Sequence, residues 1–221
     1  MAEKTVAIIG GTGHQGQGLA LRWAKSGRYR VIIGSRDAAK AQTVAESFNR
    51  RLEVAHRIEG MHNTEAAAAA EIVVLTVPYS AHTETLESIR AQLKGKVLVD
   101  VTVPLRPPRV SQVYIPPGGS ATAEAQALLG EEVRVVCAFQ NVSATHLKDL
   151  DEAPECDVLV CGDDPGAKAE AIALAEAAGM RGLDAGPLQN AVVVEGLTAI
   201  LIGINKRYRA DGAGIKITGI P

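Results

Sequence analysis

The 221-residue chain has three cysteines, Cys137, Cys156 and Cys161, and they form no C-x-x-C pair. No H-x-x-x-H spacing occurs either, so neither a zinc framework nor a disulfide scaffold is expected. An odd number of thiols set in or beside apolar, strand-like runs reads as buried cysteine in a reducing cytoplasm. There is no excess of either charge. A net charge of −2 gives no basic field for nucleic acid or an anionic membrane. No signal peptide is expected, because the first apolar run is short and reads as a strand. No uninterrupted apolar run reaches the roughly 18 residues of a membrane span, and no repeat or linker divides the chain. With 47% hydrophobic and 22% charged residues, the remaining class is an ordinary globular domain with a real core.

The informative stretch lies at the start. Val6-Ala7-Ile8-Ile9 is a β-branched run that breaks into Gly10-Gly11-Thr12-Gly13-His14-Gln15-Gly16 and continues as an apolar helix through Ala24. Gly11, Gly13 and Gly16 match the G-x-G-x-x-G dinucleotide fingerprint in its required strand–turn–helix setting. Gly11 is assigned the tight turn, Gly13 the close approach of a pyrophosphate, and Gly16 the packing of helix on strand. The helix N-terminus then offers free N–H groups to a phosphate.

A second strand, Arg30 to Gly34, ends in Ser35-Arg36-Asp37, with Lys40 one turn further on. An acidic residue at this place takes the ribose hydroxyls in NAD-binding proteins. A serine hydroxyl, a guanidinium fork and an ammonium suit a 2′-phosphate instead, so NADP is expected. Asp37 reads as the cap of the following helix.

Later elements alternate in the same way. Helix is expected over residues 38–50, an extended segment over 53–59, an alanine-rich helix over 63–70 and a strand over 72–77 stopped by Pro78. Ligands in such sheets bind beyond the carboxyl ends of strands, which directs Thr76, Val77, Pro78 and Tyr79 at the cofactor. Tyr79 reads equally as a cover for adenine or ribose and as an aromatic packing a loop. Helix 81–93 and strand 96–101 lead to a proline-dense segment, 104–120, that excludes a regular element. Helix 120–129 and strand 133–139 precede Gln140-Asn141-Val142-Ser143-Ala144, small and polar residues placed where a nicotinamide or second substrate would lie. His146 has no evident partner and reads as structural. Asp163 and Asp164 end a strand before Pro165, where capping the next helix is a better reading than acid–base work. Residues 189–208 form a long helix apolar almost all round, expected to be buried on more than one side and to suit a dimer core.

Gly10-Gly11-Thr12-Gly13, Gly34-Ser35-Arg36, Leu75-Thr76-Val77-Pro78, Val160-Cys161-Gly162-Asp163-Asp164, Leu183-Asp184-Ala185-Gly186-Pro187-Leu188 and Gly214-Ile215-Lys216 stand in this order. In these strings, which run the length of the chain, it resembles the NADPH-dependent oxidoreductases of coenzyme F420. The resemblance implies a Rossmann-type, doubly wound parallel sheet over residues 1–150. It also implies a small C-terminal α/β part, 151–221, ending in the long helix and contributing to the deazaflavin site and to a homodimer. The implied reaction is hydride exchange between NADP(H) and the 8-hydroxy-5-deazaflavin ring. Matched to this chain, Gly11, Thr12, Gly13, His14, Gln15 and Gly16 form the pyrophosphate turn, and Ser35, Arg36 and Lys40 the 2′-phosphate clamp. Thr76, Val77, Pro78, Tyr79, Thr83, Leu105 and Ala144 line the rest of the NADP groove; Gln140, Asn141, Val142 and Gly214 lie on the deazaflavin side. Some members carry a histidine and a proline where Gln140 and Ser143 stand, which argues against a protonating histidine here. No catalytic acid or base is assigned, because the two cofactors carry the chemistry. A flavin or ferric reductase, or an NADP(H)-sensing module, are the competing readings on the same scaffold.

Overall fold

The computed structural model describes residues 3–52 and 58–220. Its first strand, β1 (Lys4–Ile9), is buried from Thr5 onward, as a strand covered on both faces must be. It leads through the glycine turn into α1 (His14–Ser26). There follow β2 (Tyr29–Ser35), α2 (Ala38–Arg51), β3 (Ile58–His62), α3 (Asn63–Ala69) and β4 (Ile72–Leu75). Next come α4 (His82–Leu93), β5 (Val97–Asp100), α5 (Ala121–Leu129) and β6 (Arg134–Cys137). The chain closes with α6 (Ala144–Lys148), β7 (Asp157–Gly162), α7 (Pro165–Ala177), β8 (Arg181–Asp184) and α8 (Ala191–Tyr208).

The sheet order is β3-β2-β1-β4-β5-β6-β7-β8. β1 to β6 are parallel in the doubly wound 3-2-1-4-5-6 order, which sets their carboxyl ends along one edge. One core, under α1, α2 and α7, is built around Trp23 and Phe139, whose rings meet edge-on at 5.8 Å. The other, under α3, α4 and α5, is aliphatic.

Three features of the sheet differ from the sequence expectation. β7 runs antiparallel to β6, through Val136↔Gly162 and Cys137↔Cys161, and β8 is parallel to β7. The end of α8 therefore comes back to the ligand edge: Leu188 N–H binds Asp163 at the far end of β7, while Ile215 C=O accepts from Asp157 N–H at its start. The third strand runs past its expected end at residue 59, to His62; the expected residues 53–57 fall outside the described residues. Its register is set by Asn49, whose amide accepts from Ile58 N–H at 2.7 Å and donates to Ile58 C=O at 2.8 Å. Gly60 lies against α2 so closely that a Cβ would be 2.3 Å from the Ala41 carbonyl carbon. The sixth strand stops earlier than expected because Phe139 takes φ 71° and turns the chain into the Gln140 loop.

The long helix is present as expected. α8 buries Ala191, Val194, Glu195, Ala199 and Leu201, yet Val193 is 62% and Ile200 49% exposed. It rests on the sheet and α5 on one side and meets the 104–120 segment at Gly196 and Gly203 on another, which leaves Val193 and Ile200 open. With the preceding turn, Leu188–Tyr208 also passes, by length and composition, as a helix able to cross a membrane, with a mean hydropathy of 1.4 in an 18-residue window. Its packing is that of a domain helix: Glu195, in its middle, is fixed to α5.

One buried cation knits the ligand-side loops to α1. The Arg22 guanidinium donates to the carbonyls of His146, Leu147, Asp149, Glu152 and Ala178, so it satisfies a segment that has little regular structure of its own.

Candidate functional site

At the end of β1 the left-handed residue is Gly10 (φ 73°) rather than Gly11. Gly11 N–H closes the turn onto Ile8 C=O (3.1 Å) and Gly34 C=O (3.0 Å). A Cβ on Gly16 would lie 2.6 Å from Gly11 Cα and 2.8 Å from Thr76 Oγ1, so glycine there lets α1 pack tightly on the turn and on the end of β4. Gly13 is the N-cap of α1 and supplies no side-chain cap, and the first turn has no acidic residue. Those N–H groups and the positive end of the dipole are left to an anion.

The turn forms the floor of a groove of about 500 Å3, walled by Gly10, Thr12, Gly13, Ser35, Arg36, Asp37, Lys40, Asn63, Thr76, Val77, Pro78, Ala81 and Thr85. Eight of the predicted cofactor residues are thus brought together. Ser35 Oγ accepts from Asp37 N–H (3.1 Å), and Asp37 caps α2 through Lys40 N–H (3.1 Å). The capping leaves Arg36 and Lys40 exposed at the groove's rim. Gly11 and Gly16 are buried beneath it.

The other predicted residues lie around this groove. His14, exposed, accepts a hydrogen bond from Lys148 Nζ at 2.9 Å. Gln15 donates to Phe139 C=O (3.4 Å) and Val142 C=O (3.3 Å), joining the glycine turn to the Gln140 loop. Tyr79 points into an aromatic cluster. Its hydroxyl donates to Glu124 (2.9 Å), its ring meets Tyr114 at 6.4 Å, and Arg106 covers Tyr114 at 3.6 Å. Burial, reinforced by Glu124, raises the phenol above its ordinary pKa. This cluster anchors the proline-rich strap, 104–120, in which Leu105 is half-buried; Thr83 is exposed on α4, and Ala144 opens α6.

Gln140 and Asn141, each 5% exposed, lie on the wall of a cavity of about 180 Å3 shared with Val142, Ser143, Thr198, Leu201, Ile202, Asn205 and Ala213. Gln140 donates to Asp100 C=O (2.7 Å) and its own carbonyl accepts from Thr198 Oγ1 (2.9 Å), while Gln140 Oε1 and Asn141 Nδ2 have no hydrogen-bond partner among the described residues. Gly214 is not in this cavity. It lines a neighbouring one of about 340 Å3, where a Cβ would be 2.6 Å from Cys156 Cβ.

His146 ties the tail down, with Nε2 3.1 Å from Gly212 C=O. Asp164 caps α7 through Ala167 N–H (2.6 Å) and Asp163 accepts from Leu188 N–H (2.9 Å), so the two carboxylates do separate structural work. Cys137 and Cys161 are buried, and Cys156 is half-buried with its thiol pushed up to about 11 by burial.

Sequence reasoning missed the buried acids beside the site. His82 Nε2 and Asp100 Oδ2 are 2.6 Å apart with both side chains buried. Burial opposes the imidazolium, but the Asp100 hydrogen bond and charge outweigh it and raise the His82 pKa. Glu195 accepts from Ala121 N–H (2.8 Å), Thr122 N–H (3.0 Å) and Thr122 Oγ1 (2.7 Å) at the start of α5. Its pKa is pushed up to about 7 by burial, against the lowering effect of those bonds. A lone carboxylate within an apolar helix was the available signal.

A glycine turn under an uncapped helix, on a doubly wound sheet, defines a Rossmann-type dinucleotide-binding protein. A crystal structure from Arthrobacter sp. FB24 has the same fold, with TM-score 0.80 at 24% identity, over 99% of this chain and 100% of that one. Residues 5–104 match the family model described as NADP oxidoreductase coenzyme F420-dependent. The F420-dependent NADP reductase of Methanothermobacter thermautotrophicus is 44% identical over 225 residues, covering 98% of this chain and 95% of its own. That of Methanocaldococcus jannaschii is 40% identical over 222 residues, covering 97% and 98%. Metalloreductase STEAP3 of Rattus norvegicus is 31% identical over 197 residues, with 89% of this chain but only 37% of the relative covered. The chain belongs to the F420-dependent NADP reductase family.

Proposed function

We propose that this chain transfers a hydride between NADP(H) and coenzyme F420. The observation that carries the reading is the rim of the groove, where Ser35, Arg36 and Lys40 stand in place of a ribose-binding carboxylate, in a chain similar along its whole length to F420-dependent NADP reductases. NADP(H) supplies the hydride chemistry. The uncapped start of α1 and the open side of Gly13 fit its pyrophosphate, and Arg36 with Lys40 would hold its 2′-phosphate. Thr76, Val77 and Pro78 fix the groove's far wall. Gln15 couples the glycine turn to the loop at Gln140–Ser143, which would receive the second ring. Placement of the two reacting carbons would be the main catalytic contribution of this chain.

In this reading residues 1–150 bind NADP(H), and 151–221 complete the deazaflavin site and form a homodimer. The exposed Val193 and Ile200 of α8 support the dimer. The unpaired thiols suit a reducing cytoplasm. The test is to add NADPH to the protein with oxidised F420 and follow the deazaflavin's visible absorbance. Bleaching that requires the protein and is far slower with NADH is expected. Tight NADPH binding with no bleaching, or turnover only with flavin or ferric acceptors, would overturn the reading.

A further inference from the structure

The buried pair His82–Asp100 lines neither the NADP groove nor the Gln140 cavity, and stability does not account for it. His82 opens α4, where the helix dipole opposes a cation. The side chains are 1% and 0% exposed, and the Nε2–Oδ2 distance is 2.6 Å. Withdrawing both charges from water costs about as much as their attraction returns, so apolar side chains of like volume would pack as well. Three acids face the imidazole: Asp100 from β5, Glu195 from α8 and Glu124 from α5. Burial opposes its charge, and Asp100, first among these acids, restores it. The Tyr79 ring lies 6.2 Å away, and Cys137, the neighbour of Asp100 on β6, has its thiol raised by burial.

What the pair joins is more telling. Thr76, Val77, Pro78 and Ala81, just before His82, wall the groove, and so does Thr85 one turn after it. Asp100 is the last residue of β5, and its C=O accepts from Gln140 Nε2 at 2.7 Å. That bond is shorter than the 3.4 and 3.3 Å contacts by which Gln15 holds the same loop from α1. Asp100 Oδ1 accepts from Thr102 N–H (2.9 Å), and Thr102 Oγ1 reaches back to Val77 C=O (3.4 Å) on the wall. One residue thus grips the groove wall with its side chain and the Gln140 loop with its main chain.

We infer that His82 and Asp100 are positioning residues for the hydride transfer, locking the wall of the NADP groove to the loop that receives the deazaflavin. The inference rests on the F420 reading. Hydride transfer needs the two carbons about 3–3.5 Å apart, and an error of about 1 Å costs about 100-fold. Affinity for NADP(H) rests in that reading on the glycine turn and on Arg36 and Lys40, away from the pair. Loosening the pair should therefore lower kcat and spare KM for NADPH. The pair is complete while His82 keeps its proton, and it loosens as pH rises past the raised pKa of the folded ring.

Steady-state kcat and KM are to be measured from about pH 6 to about pH 9 in the wild type and in Asp100→Asn, which keeps an acceptor for Thr102 N–H but removes the charge. At the acid end the variant should lose about tenfold in kcat, with KM for NADPH within about twofold. The ratio of wild-type to variant kcat should fall towards one as pH rises, because the wild type then loses its own pair. Effects of pH on the cofactors themselves cancel in that ratio. An equal kcat, a loss carried by KM for NADPH, or a ratio that ignores pH overturns the inference while the F420 reading stands. If circular dichroism shows Asp100→Asn unfolded, the doubly substituted His82→Gln, Asp100→Asn protein takes the same test, since it leaves no charge unpaired at this place. Failure of the wild type to reduce F420 overturns that reading, and the inference with it.

Discussion

Arg36 illustrates how much chemistry one side chain can decide. It reaches the groove from the first residue past β2, held there because Ser35 and Asp37 spend their side chains on the start of α2. Removing its guanidinium leaves the pyrophosphate turn intact but takes one charge-assisted pair from a 2′-phosphate. Arg36→Ala should therefore raise KM for NADPH about tenfold or more and leave KM for NADH nearly unchanged; parallel steady-state titrations check this, and equal losses would refute the assignment. Residues of this kind were legible in the sequence because their meaning is local. Gly10 to Gly16 and Ser35-Arg36 each act on what lies a few positions away. His82, Asp100 and Glu195 were not legible, since each takes its role from a partner distant in the chain. Tyr79 was legible only as an ambiguity, because its partners lie far along the chain, Tyr114 on the aperiodic strap and Glu124 in the first turn of α5.

Among the elements, α8 and α5 are joined by a buried carboxylate whose proton affinity differs between the folded and unfolded chain. Folded Glu195 holds its proton up to about pH 7, against an ordinary value of 4.5. Between those values the folded state binds more protons than the unfolded, so stability is greatest below this window and falls as pH rises through it. The upper bound on that loss is roughly 3 kcal/mol. His82 acts in the same sense: with its pKa raised, its contribution is also lost as pH climbs past its folded value. Urea midpoints should drop from about pH 5 to about pH 8, and Glu195→Gln should flatten the slope; an unchanged slope would show that another group is responsible. Periodicity revealed that these helices and strands exist but not their direction, which is why the reversal of β7 was missed. It also ended the third strand too early, because Glu59 and Gly60 give no apolar signal and the extension to His62 is held by Asn49 and α2.

For the molecule as a whole, the unfinished surface is the outer side of α8. Val193 and Ile200 are seven residues apart on one face, and the neighbouring strap adds the exposed Val113 and Ile115. Apolar groups collected in this way on a chain with otherwise ordinary polarity mark a contact surface. Ile200→Glu should convert the proposed dimer to a monomer in light scattering coupled to size exclusion, with each chain still folded by circular dichroism. A wild type that is monomeric at all concentrations would refute the dimer. Fold and cofactor class were readable at this scale because apolar strand runs alternate with helices, the pattern of a covered parallel sheet, and the first run opens into the glycine fingerprint; which face of α8 stays open depends on tertiary packing that hydrophobicity alone does not give.

The reversal of β7 has a practical side. β1 starts at Lys4 on the edge opposite the groove, whereas the chain reaches residues 215–217 on the groove edge, where Arg181 donates to Ile217 C=O. A fluorophore, affinity handle or fused protein joined ahead of residue 3 is carried well clear of the cofactors. The same cargo joined after residue 220 hangs beside the mouth of the site. Labelling at that end therefore serves to report on occupancy, and labelling at the other serves for immobilisation.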